Sequence, residues 1–246
     1  MMDFGFYNTD CMKGMKQFPD KFFDLAIVDP PYGINADTFG MGDGLNGRKK
    51  STARTLRKKG RLNQGSGKLK NRILNQSNCS WDNEPPSKEY FVELQRVSKQ
   101  QIIWGGNYFD LPPTRGIIVW DKMQPWENFS QVELAWTSFD RPAALFKYCN
   151  SGARNGTEDR YKCHPTQKPV QLYKWLIQKY AQPNDIILDT HVGSASSLIA
   201  CRETGHRYVG FEINKLYYDL AKKRLDAAES QMNIFDFIKE DPNASQ

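Results

Sequence analysis

The sequence predicts an α/β fold with a mainly parallel sheet, and three observations carry that prediction. Apolar runs of strand length alternate with amphipathic stretches of helical period along most of the chain. Three of the runs end on an acid beside a turn, at Asp29, Asp189 and Glu212, which is where open parallel sheets hold their ligands. The chain has 246 residues, 39% of them hydrophobic and 13% aromatic, enough to bury a sheet between helical layers.

The elements follow in order. Phe6-Tyr7 and Phe22 to Val28 read as strands, the second a buried apolar run closing on Asp29. Ser87 to Ser98 reads as a helix, with Ser87 at the N-cap and Tyr90, Phe91, Leu94 and Val97 on one face. QIIWGG, GIIVWD and VELAWTSF supply three short strands. Pro169 opens an amphipathic helix with Val170, Tyr173, Ile177 and Tyr180 on its apolar side. DIILDT and RYVGFEI are two further strands, separated by a helix that stops at Gly205. Leu216, Tyr217, Leu220, Ala221 and Leu225 mark the last helix. We read one domain over residues 1–232, with a frayed tail at 233–246.

Charge is distributed unevenly. The total is +6, from 34 basic and 28 acidic residues. Between Gly44 and Trp81 there is no acid, and eleven basic residues stand there: Arg48, Lys49, Lys50, Arg54, Arg57, Lys58, Lys59, Arg61, Lys68, Lys70 and Arg72. Without them the chain holds 23 basic against 28 acidic residues, so the body is mildly acidic. Residues 43–80 therefore read as a basic, mobile insertion, and either a solvated loop or an arm that neutralises phosphates by counterion release fits that composition.

Other classes are excluded or left without support. The mean hydropathy is -0.68 and no apolar run has the length of a membrane span. The first residues, MMDFGFYNTD, lack the basic-then-apolar order of a signal peptide. The five scattered cysteines suit a reducing cytoplasm better than a disulfide framework. Cys149, Cys163 and His164 lack metal-ligand spacing, so no metal is expected. Trp104, Trp120, Trp126 and Trp136 read mostly as core or sheet-facing residues.

Two motifs carry chemistry. Asp29-Pro30-Pro31-Tyr32 follows the apolar strand. Its two prolines remove two N–H donors, so the loop presents carbonyls and a carboxylate suited to holding an amino group, with Tyr32 as a face for a planar base. Asp189-Thr-His-Val-Gly193-Ser194-Ala195-Ser196 also follows a strand and enters a helix, whose first N–H groups are free. Nineteen residues after Gly193, Glu212 closes the next strand, near the spacing of an acid that grips ribose hydroxyls. The pattern is not G-x-G-x-x-G, which argues against NAD.

Together these residues resemble the S-adenosylmethionine-dependent DNA adenine-N6 methyltransferases of the D-P-P-Y type. The order of motifs is similar to the permuted beta-class: an N-x-D-C segment (Asn8, Asp10, Cys11), D-P-P-Y, W-G-G-N-Y-F (Trp104 to Phe109), H-P-T-Q-K-P (His164 to Pro169), then the cofactor motif. The resemblance runs from Tyr7 to about Arg224. It implies a Rossmann-like class I methyltransferase fold, with a seven-stranded, mainly parallel sheet, one antiparallel strand and helices on both faces.

It also implies roles. Asp29 and the Pro30 carbonyl would accept hydrogen bonds from the target amine, within a catalytic loop of Asp29, Pro30, Pro31 and Tyr32. Asp10 would meet the cofactor's adenine, with Cys11 beside it, and Glu212 its ribose. Asp29, Asp189, His191, Gly193, Ser194 and Ala195 would line the rest of the cofactor site, with Lys168 near the methionine carboxylate. A flipped base in double-stranded DNA is expected as substrate, S-adenosylhomocysteine as product, and no metal is required. A homodimer and a cognate restriction endonuclease are the partners that the family admits, and no membrane association is expected. Residues 140–163 fall where the family keeps its target-recognition loop, so Arg154 and Arg160 join Arg48 to Arg61 as candidate DNA contacts, with Arg141 and Lys162 nearby; a plain surface loop is the other reading.

Ala195 stands where the family usually has glycine, and Asp189-Thr190-His191 where it often has D-P-F. That departure motivates a second reading, a catalytically weak DNA-binding relative. Cytosine N4 methylation is a third; there serine more often stands at the Asp29 position. Protein-glutamine methylation is a fourth, with asparagine typical at that place.

Overall fold

The computed structural model describes residues 2–34, 82, 84–124, 130–149, 163, 164 and 166–240. Its strands are β1 (Gly5–Tyr7), β2 (Phe23–Val28), β3 (Ser98–Trp104), β4 (Ile118–Asp121), β5 (Val132–Thr137), β6 (Ala144–Lys147), β7 (Ile186–Asp189) and β8 (Arg207–Phe211). The helices are α1 (Cys11–Met15), α2 (Lys88–Val97), α3 (Val170–Tyr180), α4 (Ser196–Glu203) and α5 (Lys215–Glu240), with a 3-10 turn at Gly106–Tyr108. Among the described residues no helix is long and apolar enough to cross a membrane.

All eight strands join one sheet in the order β1-β8-β7-β2-β3-β5-β4-β6. Only β5 runs against both its neighbours, β3 and β4, while the other pairings are parallel. Among the described residues one strand is antiparallel, as expected, but the sheet has eight strands and not the expected seven. The addition is β6, inside the stretch expected to be loop. It is a four-residue edge strand with a half-buried Ala144 and Phe146 and an exposed Leu145, too short and one-sided for its pattern to stand out. The five-residue α1 was likewise not expected, and α5 runs on to Glu240, past the expected start of the tail.

Alternation in the strands divides the core between the two faces of the sheet. Leu25, Ile27, Ile102 and Trp104 pack with Leu172, Leu176 and Ile177 of α3, Leu198 of α4 and Ala221 of α5. Ala26, Val28 and Ile103 face the other way, onto Met15, Tyr90, Leu94 and Val97 of α1 and α2, where Phe23 at the strand's start joins the same cluster. Helices therefore cover both faces, as parallel strands buried on both sides require.

The connections also set where a ligand belongs. From β2 the chain crosses through α2 to β3 on one side, while from β7 it crosses through α4 to β8 on the other. The crevice between β2 and β7 is the topological switch point, and Asp29 and Asp189 stand at its carboxyl end.

Candidate active site

The D-P-P-Y loop leaves β2 with its two prolines in sequence, and the next two N–H groups are tied down from outside. Asp82 Oδ1 accepts the backbone N–H of Tyr32 at 2.6 Å and of Gly33 at 3.0 Å. The Tyr32 hydroxyl donates to Asp29 Oδ1 at 2.6 Å. Its ring lies nearly parallel to that of Tyr108, 5.0 Å away, with Phe109 edge-on at 6.1 Å. The other Tyr32 neighbour is Gly105, at φ +70°; a Cβ there would fall 2.3 Å from Tyr32 Cε1. The first glycine of W-G-G thus answers two demands, a left-handed turn and an aromatic ring against the backbone.

Lys168 closes the other side of Asp29. Its Nζ donates to Asp29 Oδ2 at 2.5 Å and to the Tyr32 hydroxyl at 3.2 Å, and lies 3.1 Å from Glu133 Oε2. The ammonium also stands 5.3 Å from the Trp104 ring centroid and 5.7 Å from that of Tyr32. Glu133 Oε1 pairs in turn with Lys122, giving a line of alternating charges: Asp29, Lys168, Glu133, Lys122. Burial opposes the Lys168 charge, but Asp29 and Glu133 outweigh it and raise its pKa, so it remains an ammonium. Burial raises the Asp29 carboxyl, with Lys168 opposing. Burial acts the same way on Glu133, yet its two lysines prevail and bring it down to about 2.

The second motif forms the neighbouring wall. Asp189 Oδ1 accepts the His191 N–H at 2.9 Å, and its Oδ2 accepts the Ser197 hydroxyl. Burial pushes the Asp189 carboxyl up to about 7 and the His191 imidazole down to about 4. Thr190 Oγ1 bridges the Tyr90 hydroxyl at 2.6 Å and His191 Nδ1 at 2.9 Å. Gly193 takes φ +55° and donates its N–H to Glu212 Oε2 at 3.0 Å. Glu212 Oε1 accepts the Asn214 N–H at 2.8 Å, and Asn8 Nδ2 reaches the Glu212 carbonyl at 2.7 Å. Asp10 caps α1 by accepting the Lys13 N–H at 3.0 Å, and burial lifts the adjacent Cys11 thiol to about 12. Arg224 of α5 donates to the Ser194 carbonyl at 2.7 Å and to Ser196 Oγ at 2.8 Å, fixing the turn into α4.

The two motifs therefore meet at one end of the sheet, with Asp10, Cys11 and Glu212 following around the β1 and β8 ends. The Lys168 ammonium, expected near the cofactor's carboxylate, binds the D-P-P-Y carboxylate. Ala195 stands in the left-handed region, φ +62°, with its methyl buried in the core beside α4. The backbone there has the conformation for which glycine is the usual residue. Arg141 lies at the far end of α3 from Lys168, its guanidinium 5.3 Å from the Phe139 ring and 5.5 Å from that of Tyr180, and it donates to the Lys179 carbonyl. Trp104, Trp120 and Trp136 are buried, as expected. Arg48, Lys49, Lys50, Arg54, Arg57, Lys58, Lys59, Arg61, Arg154, Arg160, Lys162 and Trp126 lie outside the described residues.

Three residues of this network have no place in the sequence expectations, Asp82, Glu133 and Arg224, while Tyr108 falls in W-G-G-N-Y-F without an assigned role. Asp82 had one available signal, as the first acid after the long acid-free stretch. Glu133 had another, as an acid next to the apolar face of a short strand.

Comparison with known proteins agrees with this geometry. The sequence pattern of a family described as DNA methylase, N6 and N4 type, matches residues 103–223. "Putative methylase YubD" of Escherichia coli (strain K12) is 39% identical over 249 residues, covering 92% of each chain. The type II methyltransferase M.HpaI of Haemophilus parainfluenzae is 26% identical, over 94% of this chain and 76% of its own. The crystal structure of the M1.HpyAVI-SAM complex superposes with a TM-score of 0.53 at 19% identity, over 89% of this chain and 98% of that one, which is a likeness of fold. With the identity to YubD running nearly end to end, and the class I methyltransferase sheet carrying both motifs at its switch point, the chain belongs to the N6/N4 DNA methylase family.

Proposed function

We propose that this protein transfers a methyl group from S-adenosylmethionine to the exocyclic N6 of an adenine flipped out of double-stranded DNA, leaving S-adenosylhomocysteine. The observation that carries this reading is the placement of an amine-accepting loop, Asp29 to Tyr32, beside the Gly193 turn and Glu212, at the carboxyl ends of neighbouring strands. Family membership and the cofactor named in the M1.HpyAVI complex support the choice of donor.

The site fits that cofactor in its donor set. Glu212 presents a buried carboxylate whose two oxygens each hold one backbone N–H, which leaves lone pairs for ribose hydroxyls. Asp10, Asp189, His191 and Ser194 complete the wall. The cofactor supplies a methyl group already activated on a sulfonium sulfur. The chain's own task is then orientation more than basicity. Asp29 and the Pro30 carbonyl accept the two amine N–H groups and so aim the nitrogen lone pair away from themselves. Tyr32 offers the base a stacking face. The burial that raises the Asp29 carboxyl also fits it to take the proton the nitrogen must lose.

Aspartate in the first position of the loop favours adenine over cytosine N4. The likeness to M.HpaI supports a modification role, with a cognate endonuclease as partner. The deciding experiment incubates the protein with methyl-labelled S-adenosylmethionine and unmethylated DNA, then digests the DNA and separates the nucleosides. Label in N6-methyladenine is the expected result. Label in N4-methylcytosine overturns the base assignment, and label in protein or nowhere overturns the activity. The basic segment is proposed to hold the DNA. Deleting Gly47 to Lys70 should weaken DNA binding and flatten its salt dependence while sparing cofactor affinity.

A further inference from the structure

Each oxygen of Asp29 already accepts one hydrogen bond, and a target amine would use one of the two. The Tyr32 hydroxyl holds Oδ1 at 2.6 Å and the Lys168 ammonium holds Oδ2 at 2.5 Å. Lys168 thus stands where an incoming amine belongs: a nitrogen on the carboxylate, near the Tyr32 hydroxyl and 5.7 Å from its ring centroid. Each oxygen keeps a second lone pair, but an amine that takes the place held by Nζ displaces the ammonium, and a buried ammonium needs another anion to meet it. Glu133 supplies one. Its Oε2 is buried and lies 3.1 Å from the same Nζ, an ion pair that falls short of hydrogen-bond geometry. Its other oxygen is held by Lys122, so the carboxylate is fixed in place as a second partner able to take the ammonium fully.

Resting on the methyltransferase reading above, we infer that Glu133 is a positioning residue that receives the Lys168 ammonium when the target amine enters. Lys168 is a placeholder that keeps the Asp29 charge paired until the base arrives. A rotation of the lysine's terminal bonds moves Nζ from an ion pair shared by Asp29 and Glu133 to a full hydrogen bond with Glu133, so the ammonium keeps an anionic partner while Asp29 keeps the Tyr32 hydroxyl and gains the amine N–H. The Trp104 ring, 5.3 Å from Nζ, offers the ammonium a cation–π surface beside both positions. Glu133 itself need not touch the base.

The test compares wild type with Glu133→Gln, an isosteric change that removes the receiving charge. The probes are a duplex carrying the recognition sequence, read from DNA that the wild type has modified, and the same duplex with an abasic site in place of the target adenine. Binding is measured with S-adenosylhomocysteine present, so no variant needs to be active. Glu133→Gln should lose roughly 10- to 100-fold in affinity for the intact duplex, the scale of one charged hydrogen bond, and less than about twofold for the abasic one. Equal loss on both duplexes, the mark of a purely structural role, overturns the inference, as does loss on neither. S-adenosylhomocysteine binding by calorimetry reports folding of the variant; if it is lost, Glu133→Asp takes its place, with the same selective loss expected. A wild type that modifies no DNA overturns the proposed function and this inference with it, whereas a modifying wild type with unselective variants overturns this inference alone.

Discussion

The backbone N–H of Gly193 donates to Glu212 Oε2 at 3.0 Å, joining the turn after β7 to the end of β8 across the sheet. The same carboxylate accepts from Asn214, so one buried side chain organises two loops and still has acceptor capacity. Glu212→Ala removes both supports together with the proposed ribose contact. Its affinity for S-adenosylhomocysteine should fall by roughly 10- to 1000-fold, the range for one or two charged hydrogen bonds, with DNA retention in low salt preserved. Calorimetric titration of cofactor and a filter-binding assay of DNA check the two halves.

Asp29→Ala tests the other loop. The acceptor for the amine disappears and Lys168 keeps only Glu133 as anionic partner. Methyl transfer to DNA should drop to background while cofactor binding stays within about threefold, a small change in free energy. Full activity in that variant would sink the assignment of Asp29.

Gly105→Ala probes the packing behind Tyr32. The added Cβ would sit 2.3 Å from the tyrosine ring in a left-handed backbone, so ring or turn must move. A misplacement of about 1 Å in a positioning site costs on the order of 100-fold in rate. The expected result is a loss of that size in transfer, with far-ultraviolet circular dichroism unchanged. A rate near wild type would show that Tyr32 placement is not limiting.

How much of this was legible in the sequence depends on how local each signal is. Seven strands and the four longer helices followed from period and length, because Leu25, Ile27, Ala26 and Val28 in β2, for example, face two cores in strict alternation. The edge strand β6 did not, since only Ala144 and Phe146 turn inward and Leu145 is left in solvent. The order of motifs pointed to Asp29, Asp189, Gly193 and Glu212, each at a strand end. Asp82 and Glu133 were invisible as partners because pairing Tyr32 with Asp82, or Lys168 with Glu133, spans dozens of residues and depends on how sheet and loops meet. The contact of Lys168 with Asp29 spans 139 residues and has no local signal either.

Ala195 allows a stability prediction with a built-in control. Its φ of +62° costs an L-residue about 1 to 2 kcal/mol. Against that, Ala195→Gly loses a buried methyl, about 0.8 kcal/mol, and adds unfolded-state freedom of about 0.4 to 1 kcal/mol. These terms nearly cancel, so the substitution should change unfolding free energy by less than about 1 kcal/mol. Ala200→Gly, equally buried but inside α4, has no strain to relieve and should cost about 1.8 kcal/mol. Urea denaturation of the two variants decides; equal losses would mean that Ala195 is unstrained.

Asp189 gives the pH dependence. Burial raises its carboxyl to about 7 in the folded protein, well above the ordinary aspartate value. The folded state therefore holds a proton that the unfolded state has released between about pH 4 and 7, and this group's contribution to stability declines as pH rises through that window. His191, lowered by burial to about 4, works in the opposite sense, losing stability as pH falls below its ordinary value, so the total slope is a poor test. The difference between Asp189→Asn and wild type cancels the histidine contribution. The variant should gain on wild type steadily from about pH 4 to 7, by a few kcal/mol in all, and level off above that range. Melting temperatures of the cofactor-free proteins across that range check it. A constant offset between the two would place the Asp189 carboxyl at its ordinary value, paired well enough with Ser197 and the His191 N–H to stay ionised throughout.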